Sequence, residues 1–592
     1  MELKQRKYDF LALVILGVMF FLAVGSMRED SAIRDEMPHI VAGYSYITQA
    51  DYRLNPEHPP LVKQLSALPL LFMKINFPKE DAGWKYNVND QWSLGDTFLY
   101  KSGNDADKML FWARIPIVIL MLLAGFVVYL WASEIFKNKL AGFLALLLYA
   151  FSPNIIAHGR FITTDMGVTA FSVFALYSWW KFLKEPGWSK FLIAALLQGC
   201  LHLAKFSSPI LLPIIGIMTI FAIFSYSKQW GAKKRWAIYL ASVMSATIIA
   251  FLLVGVWYKI FMREMPLDVQ QRLIAESIWD DQFGNAGLAT KLINLSNIEA
   301  LRPYVQYALG FFMVAAHASY GHSTYFMGDV GQNWPEYYFI AYLLKEPLAS
   351  QIILYTFLIS LIAGLFAFIK GEKRKEKIKI YFEKYNILVS FAILTAIFLF
   401  MGMTAKLQLG IRYIVLIFPY LYIILGGFLA LKLEQIKKAA GRKSGAYRAG
   451  AAMVIFLFIW LIWSNLRTYP LYLPYYNELI GGGKNGWLYL IDSNTDWGQD
   501  LRRLKKWADK NKITNLKIDY FGGGNLDYYF GPGNYTTWGF EKGETKGWLA
   551  VSVDAIQWNT KNSEEQGNYH WLTDNYAPQA MIGNSILVYK ID

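Results

Sequence analysis

The sequence predicts a polytopic α-helical membrane protein followed by a small α/β domain outside the membrane. Of its 592 residues, 55% are hydrophobic, 17% are aromatic and only 17% are charged, and the mean hydropathy is +0.27. Soluble domains carry about a quarter charged residues, so this composition indicates lipid surroundings. From residue 467 onward the chain is instead rich in Gly, Asn, Asp and aromatic residues. We therefore divide it into a membrane module, 1–466, and a C-terminal domain, 467–592.

About eleven stretches are apolar for roughly twenty residues, the length that crosses the hydrocarbon core of a bilayer. The first lacks the small-residue cleavage site of a signal peptide, and we interpret it as an anchor. The lone cysteine, Cys200, lies inside a span and excludes a disulfide framework. Two further apolar stretches, 304–318 and 337–344, would raise the count to about thirteen without changing its parity. The predicted spans are 9–27, 110–133, 139–157, 165–184, 190–207, 208–226, 237–262, 348–369, 386–404, 411–431 and 449–466.

The net charge of +14 is concentrated in loops on one side of the predicted membrane. Basic segments at 228–235, 370–379 and 432–443 fall on that side, together with the N-terminal tail. The positive-inside rule makes this side cytoplasmic, so we interpret the basic runs as orientation signals and expect no nucleic-acid partner. The outer face then receives the large loops 28–109 and 263–347 and the C-terminal domain. Chemistry at the outer face of the cell membrane would produce this distribution.

Two acidic clusters lie in the first outer loop. Asp35 and Glu36 follow the first span directly, where acids can also serve only to solvate a loop. In "NPEHPP" the two prolines restrict the backbone and hold Glu57 and His58 rigidly, although such a loop can simply end one helix and begin the next. A divalent metal could bind Glu57, His58 or Asp35, but a few acids and one imidazole in a loop do not define a metal site.

Several cations stand at the outer ends of predicted spans. Each of these cations could simply extend its charged group to the membrane interface; they are Arg160, Lys205, Lys345 and Arg412. Asp165 could be an ordinary helix cap. Together with the acids they suit sugar transfer from a lipid phosphate, because fixed cations stabilise a departing phosphate and a carboxylate removes the acceptor's proton. The sequence carries no phosphate-binding glycine loop or nucleotide-binding motif, which favours a lipid-linked donor over a nucleotide sugar.

These motifs resemble those of the GT-C class of membrane glycosyltransferases. They are most similar to the protein O-mannosyltransferases and their bacterial relatives, including the aminoarabinose transferases, over roughly residues 10 to 500. The resemblance implies a GT-C fold and inverting transfer of a hexose or pentose from a dolichyl- or undecaprenyl-phosphate sugar to a protein hydroxyl, a lipid or a glycan. The motifs are, in order, Asp35-Glu36, "NPEHPPL", "GRFITTD", Lys205, "GHSTYFMGD" with "YYFIAYLLKEP", and "GIRYIVLIFPY".

The resemblance also implies roles for individual residues. Asp35 and Glu36 match the catalytic acidic motif, with Asp35 as the base. The aminoarabinose transferases have Glu-Lys-Pro-Pro where this chain has Glu57-His58-Pro59-Pro60, so His58 replaces a lysine that could contact phosphate. The expected ligands of the donor phosphate are Arg412, foremost, and Lys345, Lys205 and Arg160. The expected lining of the substrate cavity is Glu57, His58, Asp165, His322 and Tyr325.

Two other functions remain open at this point. A flippase or other transporter of lipid-linked sugars would also span the membrane many times, but it would be expected to carry charges within its spans and matching broken helices. An oligosaccharyltransferase or ligase of the GT-C type would move a whole glycan, and "TDWGQD" only loosely resembles the Trp-Trp-Asp motif of the former.

The C-terminal domain is predicted to contain a βαβ unit. "GWLYLI" (486–491) and "NLKIDYF" (515–521) have the composition of strands, and "WGQDLRRLKKWADKN" (497–511) that of an amphipathic helix. "GWLAVSVDAI" (547–556) and "NSILVYKI" (584–591) add further strands. "DSNTDWGQDL" (492–501) resembles a stretch in the bacterial members of the family, with no role implied; its Asp496 and Gln499 could form a capping box.

Overall fold

The structure, a computed structural model, describes residues 2–226, 231–278, 285–370, 374–559 and 568–592, with side chains except at 2–5 and 369–384. Helices dominate the chain as far as residue 468. The described helices α1–α24 are Glu2–Ser26, Glu36–Thr48, Pro60–Ala67, Ala82–Lys85, Gln91–Asp96, Ala106–Phe136, Lys139–Ala150, Pro153–His158, Thr164–Lys184, Trp188–His202, Leu212–Ser225, Ala232–Phe261, Leu267–Ile278, Ala286–Ser296, Arg302–Tyr320, Tyr337–Lys345, Leu348–Lys370, Arg374–Thr404, Phe418–Ala440, Gly445–Thr468, Leu501–Lys510, Leu526–Phe530, Val553–Trp558 and His570–Asn575. The strands β1–β7 are Thr324–Phe326, Asp329–Gly331, Leu516–Asp519, Tyr535–Thr537, Gly547–Ser552, Ala580–Ile582 and Ile586–Ile591.

Eight described segments are long and apolar enough to cross a membrane, and each coincides with one of the predicted spans. The prediction of a polytopic helical membrane protein with a small C-terminal sheet is therefore confirmed. The eight segments are Arg6–Glu29, Ala106–Phe136, Ser208–Ser225, Ala232–Phe261, Leu348–Phe368, Tyr385–Thr404, Val415–Ala440 and Gly445–Thr468.

The other three predicted spans, 139–157, 165–184 and 190–207, are helical but do not meet the same criteria of length and hydropathy. The side chain of Ser152 caps a new helix that begins at Pro153, which divides the first of them into α7 and α8. The 15 residues of α10 extend only about 22 Å, whereas the bilayer core is about 30 Å thick. These short helices pack inside the bundle, α7 against α6 and α19, and α10 between α9 and α12.

The alternative of about thirteen spans needs α15 and α16 to cross as well, and neither is among the eight candidate segments. They lie instead in the loop 263–347, together with α13, α14 and the two-stranded hairpin β1–β2. Of the basic segments that set the predicted orientation, residues 228–230 and 371–373 lie outside the described residues.

The C-terminal region contains a five-stranded sheet with the order β4-β3-β5-β7-β6. β3 is parallel to β4 and β5, whereas β7 is antiparallel to β5 and β6. The predicted strands at 515–521, 547–556 and 584–591 correspond to β3, β5 and β7, and the amphipathic helix is α21. Its Leu501 and Leu504 pack with Ile518 in the core on one side of the sheet.

The strand predicted at 486–491 is wrong, and with it the βαβ unit. Most of that stretch belongs to a 3-10 helix, Gly483–Leu488. Gly486 lies against the ring of Tyr476, where an added Cβ would come within 2.0 Å. Leu490 forms an isolated antiparallel bridge with Phe326 of the β1–β2 hairpin, so this backbone pairs with the membrane module and not with the sheet. The hydrophobicity of the stretch alone did not show whether its backbone pairs with the β1–β2 hairpin or with the C-terminal sheet.

The predicted orientation can be tested at two exposed positions, Asp574 in the C-terminal region and Lys443 in a basic segment. In a Cys200→Ser background, we expect Asp574→Cys to react with an impermeant maleimide added to intact cells and Lys443→Cys to react only after lysis, because basic loops stay in the cytoplasm. The opposite labelling pattern would contradict the predicted orientation.

Candidate active site

Asp35 and Arg412 meet although 377 positions separate them in the chain. Nη1 of Arg412 donates to Oδ2 of Asp35 at 3.0 Å. Asp35 immediately precedes α2, and Arg412 lies in the short 3-10 helix Ile411–Tyr413 before α19. The side chain of Asp35 is 26% exposed and that of Arg412 is 10% exposed, so both can reach a bound molecule.

A second carboxylate–cation pair extends this contact. Oδ2 of Asp165, in the first turn of α9, lies 3.6 Å from Nη1 of Arg412, and its Oδ1 accepts from Nζ of Lys205 at 2.5 Å. The order Asp35, Arg412, Asp165, Lys205 therefore alternates in charge. We call these four side chains the charge cluster. Alternation allows four charges to be largely withdrawn from water without a net charge among them.

Arg412 retains hydrogen-bonding capacity within this cluster. Its guanidinium carbon lies 4.2 Å from the ring centre of Trp497 and 5.4 Å from that of Tyr413. Its Nε is buried and has no acceptor in the part of the chain that the structure describes. A buried donor without a partner is costly, and an arginine offers a planar edge that matches phosphate oxygens. Arg412 is therefore suited to bind an anion.

The "NPEHPP" loop is held from behind by Lys63. Its buried Nζ donates to the carbonyls of Asn55 and His58, at 2.8 and 2.7 Å, and to Oδ1 of Asn55 at 2.9 Å. Pro60 begins α3 at the other end of the loop. The loop is thus rigid for two reasons: its proline backbone and a lysine that binds three of its oxygens.

Two histidines stand side by side next to the charge cluster. The rings of His39 and His58 are perpendicular, with centres 5.0 Å apart, and Nδ1 of His39 donates to the carbonyl of Ile162 at 2.6 Å. Burial lowers the pKa of His39 to about 4. Desolvation, His39 and the nearby cations, including Lys205 and Arg412, lower the pKa of His58 well below its ordinary value. Both imidazoles are therefore neutral at pH 7 and offer nitrogens to neutral hydroxyl groups.

Glu36, predicted as catalytic beside Asp35, is completely buried and saturated with donors. Its Oε1 and Oε2 accept from Arg114 at 2.8 and 2.6 Å. The backbone N–H groups of Ile33 and Ile162 donate to the same carboxylate at 3.0 and 3.1 Å. A carboxylate with four donors has no access to a substrate proton, so this geometry suits Glu36 to fixing the backbone that carries Asp35.

Two of the predicted phosphate ligands have other partners. Arg160 pairs with Asp30, which also binds Arg503 of α21 at 2.7 Å. Lys345 is 1% exposed and donates to the carbonyls of Leu473, at 2.9 Å, and Asn494. Neither cation contacts the charge cluster. Both instead satisfy buried oxygens, as buried polar groups must.

The remaining predicted cavity residues lie in two environments. Tyr325 donates to the carbonyl of Leu488 at 3.0 Å, and the His322 ring lies 5.0 Å from that of Trp558. Glu57 accepts from Gln91 through Oε1, and its Oε2 is buried without a donor among the described residues. Within those same residues, no group of three or more His, Cys, Asp or Glu is arranged to hold a metal.

Four side chains of the site were missed from the sequence: His39, Lys63, Arg114 and Trp497. Arg114 lies inside an apolar span, where an ionisable residue is itself a signal of function. Trp497 lies in "DSNTDWGQDL", whose resemblance to bacterial relatives was the signal available for it. Nothing in the spacing of His39 or Lys63 distinguishes them from ordinary loop residues.

We expect Arg114→Met to destabilise the protein by about 3–5 kcal/mol, because it leaves the buried Glu36 carboxylate uncompensated. Thermal unfolding of the purified protein in detergent measures this. Adding Glu36→Gln to Arg114→Met should recover part of the loss. The matched control is Lys438→Met, which breaks an exposed pair with Glu434 at 2.7 Å and should cost less than about 1 kcal/mol. Equal unfolding midpoints for Arg114→Met and Lys438→Met would contradict the central role of this pair.

Comparison with protein families identifies one match within the chain. The model of the dolichyl-phosphate-mannose-protein mannosyltransferase family matches residues 106–257, about a quarter of the chain. This region contains α6 to α11 and most of α12, and with them Arg114, Asp165 and Lys205. No curated protein sequence matched the chain. The predicted resemblance to the mannosyltransferases is thereby confirmed for this part of the sequence.

Comparison with solved structures extends the similarity to the fold. The protein O-mannosyltransferase Pmt1–Pmt2 complex of S. cerevisiae, bound to its sugar donor, matches with a TM-score of 0.56 and 10% identity, covering 91% of this chain and 95% of that one. The Archaeoglobus fulgidus oligosaccharyltransferase matches with a TM-score of 0.43 and 12% identity, covering 91% of this chain and 69% of that one. ArnT from Cupriavidus metallidurans matches with a TM-score of 0.33 and 11% identity, covering 98% of each chain. The last two scores are too low to define a shared fold by themselves. The chain thus has the fold of the yeast mannosyltransferase, a GT-C membrane glycosyltransferase. Over residues 106–257 it also matches the model of the dolichyl-phosphate-mannose-protein mannosyltransferase family.

Proposed function

We propose that this protein is an inverting glycosyltransferase of the cell membrane that moves a sugar from a polyprenyl-phosphate donor to an acceptor hydroxyl at the extracytoplasmic face. The observation that carries this proposal is the partly exposed contact of Asp35 with Arg412 at 3.0 Å. A base accessible to substrate and a cation beside it are what attack on a phosphate-linked sugar requires. The family match at 106–257 and the fold shared with the yeast enzyme support this class of donor.

The reaction forms one bond and breaks one. The acceptor oxygen attacks the anomeric carbon while Asp35 takes its proton, and the bond between that carbon and the phosphate oxygen breaks. The electron pair of the broken bond stays with the phosphate, which leaves as polyprenyl phosphate. Attack from the side opposite the phosphate inverts the anomeric configuration. Arg412, through an Nε edge that has no acceptor among the described residues, and Lys205 stabilise the charge that develops on the leaving oxygen.

The charge cluster suits this reaction because the net charge of the site stays constant during transfer. Before transfer, two carboxylates and two cations cancel, and the phosphodiester of the donor adds one negative charge. During transfer the phosphate gains a negative charge, while Asp35 loses its own by accepting the proton. The net charge of the site therefore stays constant, and Arg412 is freed from Asp35 at the moment the phosphate needs it. A site removed from water benefits because no charge must be created or expelled.

The neutral His39 and His58 complement these charges. Lysine at position 58 would add a positive charge to a cluster that is already balanced. A neutral imidazole can instead bind hydroxyl groups of the sugar or the acceptor, since it has one donor and one acceptor nitrogen. The His58 ring is partly exposed, so we infer that it can contact the substrate.

Asp35→Asn tests the base. We expect folded protein with retained donor binding and a transfer rate lower by about a hundred- to ten-thousand-fold, because the shape remains but the proton acceptor is lost. Donor consumption from a panel of polyprenyl-phosphate sugars is the measurement, and Asp574→Asn, an exposed carboxylate, is the control. Transfer at the parental rate by Asp35→Asn would remove Asp35 from the mechanism. A parent protein that consumes no donor in the panel would count against the proposed function.

Arg412 is tested by two substitutions that differ in geometry. We expect Arg412→Ala to weaken donor binding and to slow transfer severely, because two carboxylates then face the phosphate without their shared cation. Arg412→Lys should restore the charge but only part of the activity, since the planar fork is lost. Full activity in Arg412→Lys would mean that charge alone suffices, and full activity in Arg412→Ala would contradict the phosphate role.

A further inference from the structure

The nine residues 492–500, "DSNTDWGQD", are all buried although most of them are polar. A polar loop is normally found at the surface, because its buried groups need partners. The capping box expected here is not formed: Asp496 Oδ1 accepts from the N–H of Gly498, and Asp500 precedes α21. What the segment contacts is therefore informative. We refer to it as the 492–500 segment.

One side of the 492–500 segment binds the loop that leads to Asp35. The carbonyl of Trp497 accepts from the N–H of Arg34 at 2.9 Å, and that of Gln499 accepts from the N–H of Ser31 at 3.0 Å. The Ser31 hydroxyl also donates to the carbonyl of Gly498 at 2.8 Å. Asp35 is the residue after Arg34, so these bonds fix the backbone next to the proposed base.

The other side binds the residues that lead to Arg412. The carboxamide of Asn494 accepts from the N–H of Ile411 at 3.0 Å, and the Ser493 hydroxyl donates to the carbonyl of Leu409. Between them, Gly410 has a φ of 134° and lies so close that a Cβ would come within 2.5 Å of Ser493 Oγ. Only glycine fits that backbone and that space. Lys345 binds the carbonyl of Asn494, which gives this buried lysine its role.

Trp497 joins the two sides. Its carbonyl holds Arg34, while its ring lies 4.2 Å from the guanidinium carbon of Arg412. The ring is itself held edge-on by His158 and Phe161, each with its centre 6.3 Å away. A guanidinium on an aromatic face is attracted to it and loses rotational freedom.

We propose that the 492–500 segment is part of the catalytic site and that Trp497 is a positioning residue, which fixes Arg412 and Asp35 relative to each other for binding and transfer from the lipid phosphate. This rests on the proposed function. The C-terminal region thus completes the active site of the membrane module. Without it the two halves of the base–cation pair, which lie 377 positions apart in the chain, would be joined by one hydrogen bond.

Trp497→Leu and Trp497→Phe test this proposal in the full-length protein. We expect Trp497→Leu to weaken binding of undecaprenyl phosphate about tenfold or more, because a desolvated cation–aromatic contact is lost, and to slow transfer. Trp497→Phe keeps a ring face over Arg412 and should stay within about threefold of the parent. Calorimetric titration with undecaprenyl phosphate is the measurement, at a temperature where every variant is folded by circular dichroism.

Two controls separate positioning from general stability. Trp548→Leu removes an indole that packs on Trp507 within the C-terminal domain, and it should not change undecaprenyl phosphate binding. In an Arg412→Ala background, Trp497→Leu should weaken binding no further, since the group that it positions is absent. A merely structural role for Trp497 would weaken binding equally in both backgrounds and would resist rescue by phenylalanine.

The outcomes distinguish the two proposals. Parental binding and transfer in Trp497→Leu, or additive effects with Arg412→Ala, would overturn the positioning role and leave the proposed function intact. Loss of binding in Trp497→Phe as large as in Trp497→Leu would also overturn it, because the ring face would then be irrelevant. A parent protein that binds no undecaprenyl phosphate would overturn both.

Discussion

The pairing of Arg114 with Glu36 is the interaction on which the site depends. Arg114 uses all five of its N–H groups, and the whole arrangement is buried. It thereby ties α6, a membrane-spanning helix, to the loop that leads to Asp35. A buried ion pair contributes little net stability compared with apolar packing, but it specifies one geometry because breaking it leaves a buried charge. The N–H groups of Arg114 donate to Oε1 and Oε2 of Glu36 and to the carbonyls of Met27, Asp30 and Ser31.

The positions of Asp35 and Arg412 show what a sequence can predict about such a site. Motif order and the positions of span ends selected both residues, and Asp165 and Lys205 with them, because charge next to a membrane is expensive and therefore informative. The structure places these four side chains in contact. The same reasoning selected Lys345 and Arg160 equally, since they also stand at span ends. Their partners proved to be carbonyls and a buried aspartate. Whether a cation faces a cavity depends on tertiary packing, which position along the chain does not encode.

The fold, like the site, could be predicted from the sequence only in part. Eight spans were predictable because each is apolar over the thickness of a bilayer, whereas α7 to α10 are shorter or more polar helices that the surrounding bundle accommodates. In the C-terminal region, strand-like composition located β3, β5 and β7. The stretch 486–491 has a strand-like composition, but three glycines precede it and its backbone pairs with β1. Local composition does not decide between such distant partners.

His58 shows how one substitution can be accommodated by its surroundings. The aminoarabinose transferases, whose motif the sequence resembles, have a lysine at the corresponding place, and here the amine within reach of the loop belongs to Lys63, which binds its backbone oxygens. Lys63 therefore stiffens the loop without contributing to the charge cluster. The cluster keeps two acids and two cations, and in the proposed reaction the proton accepted by Asp35 offsets the charge that the phosphate gains. A lysine at position 58 would add a positive charge beside a cluster whose two acids and two cations already cancel. In the proposed reaction, a neutral histidine leaves the change in charge to Asp35 and the phosphate, beside Arg412.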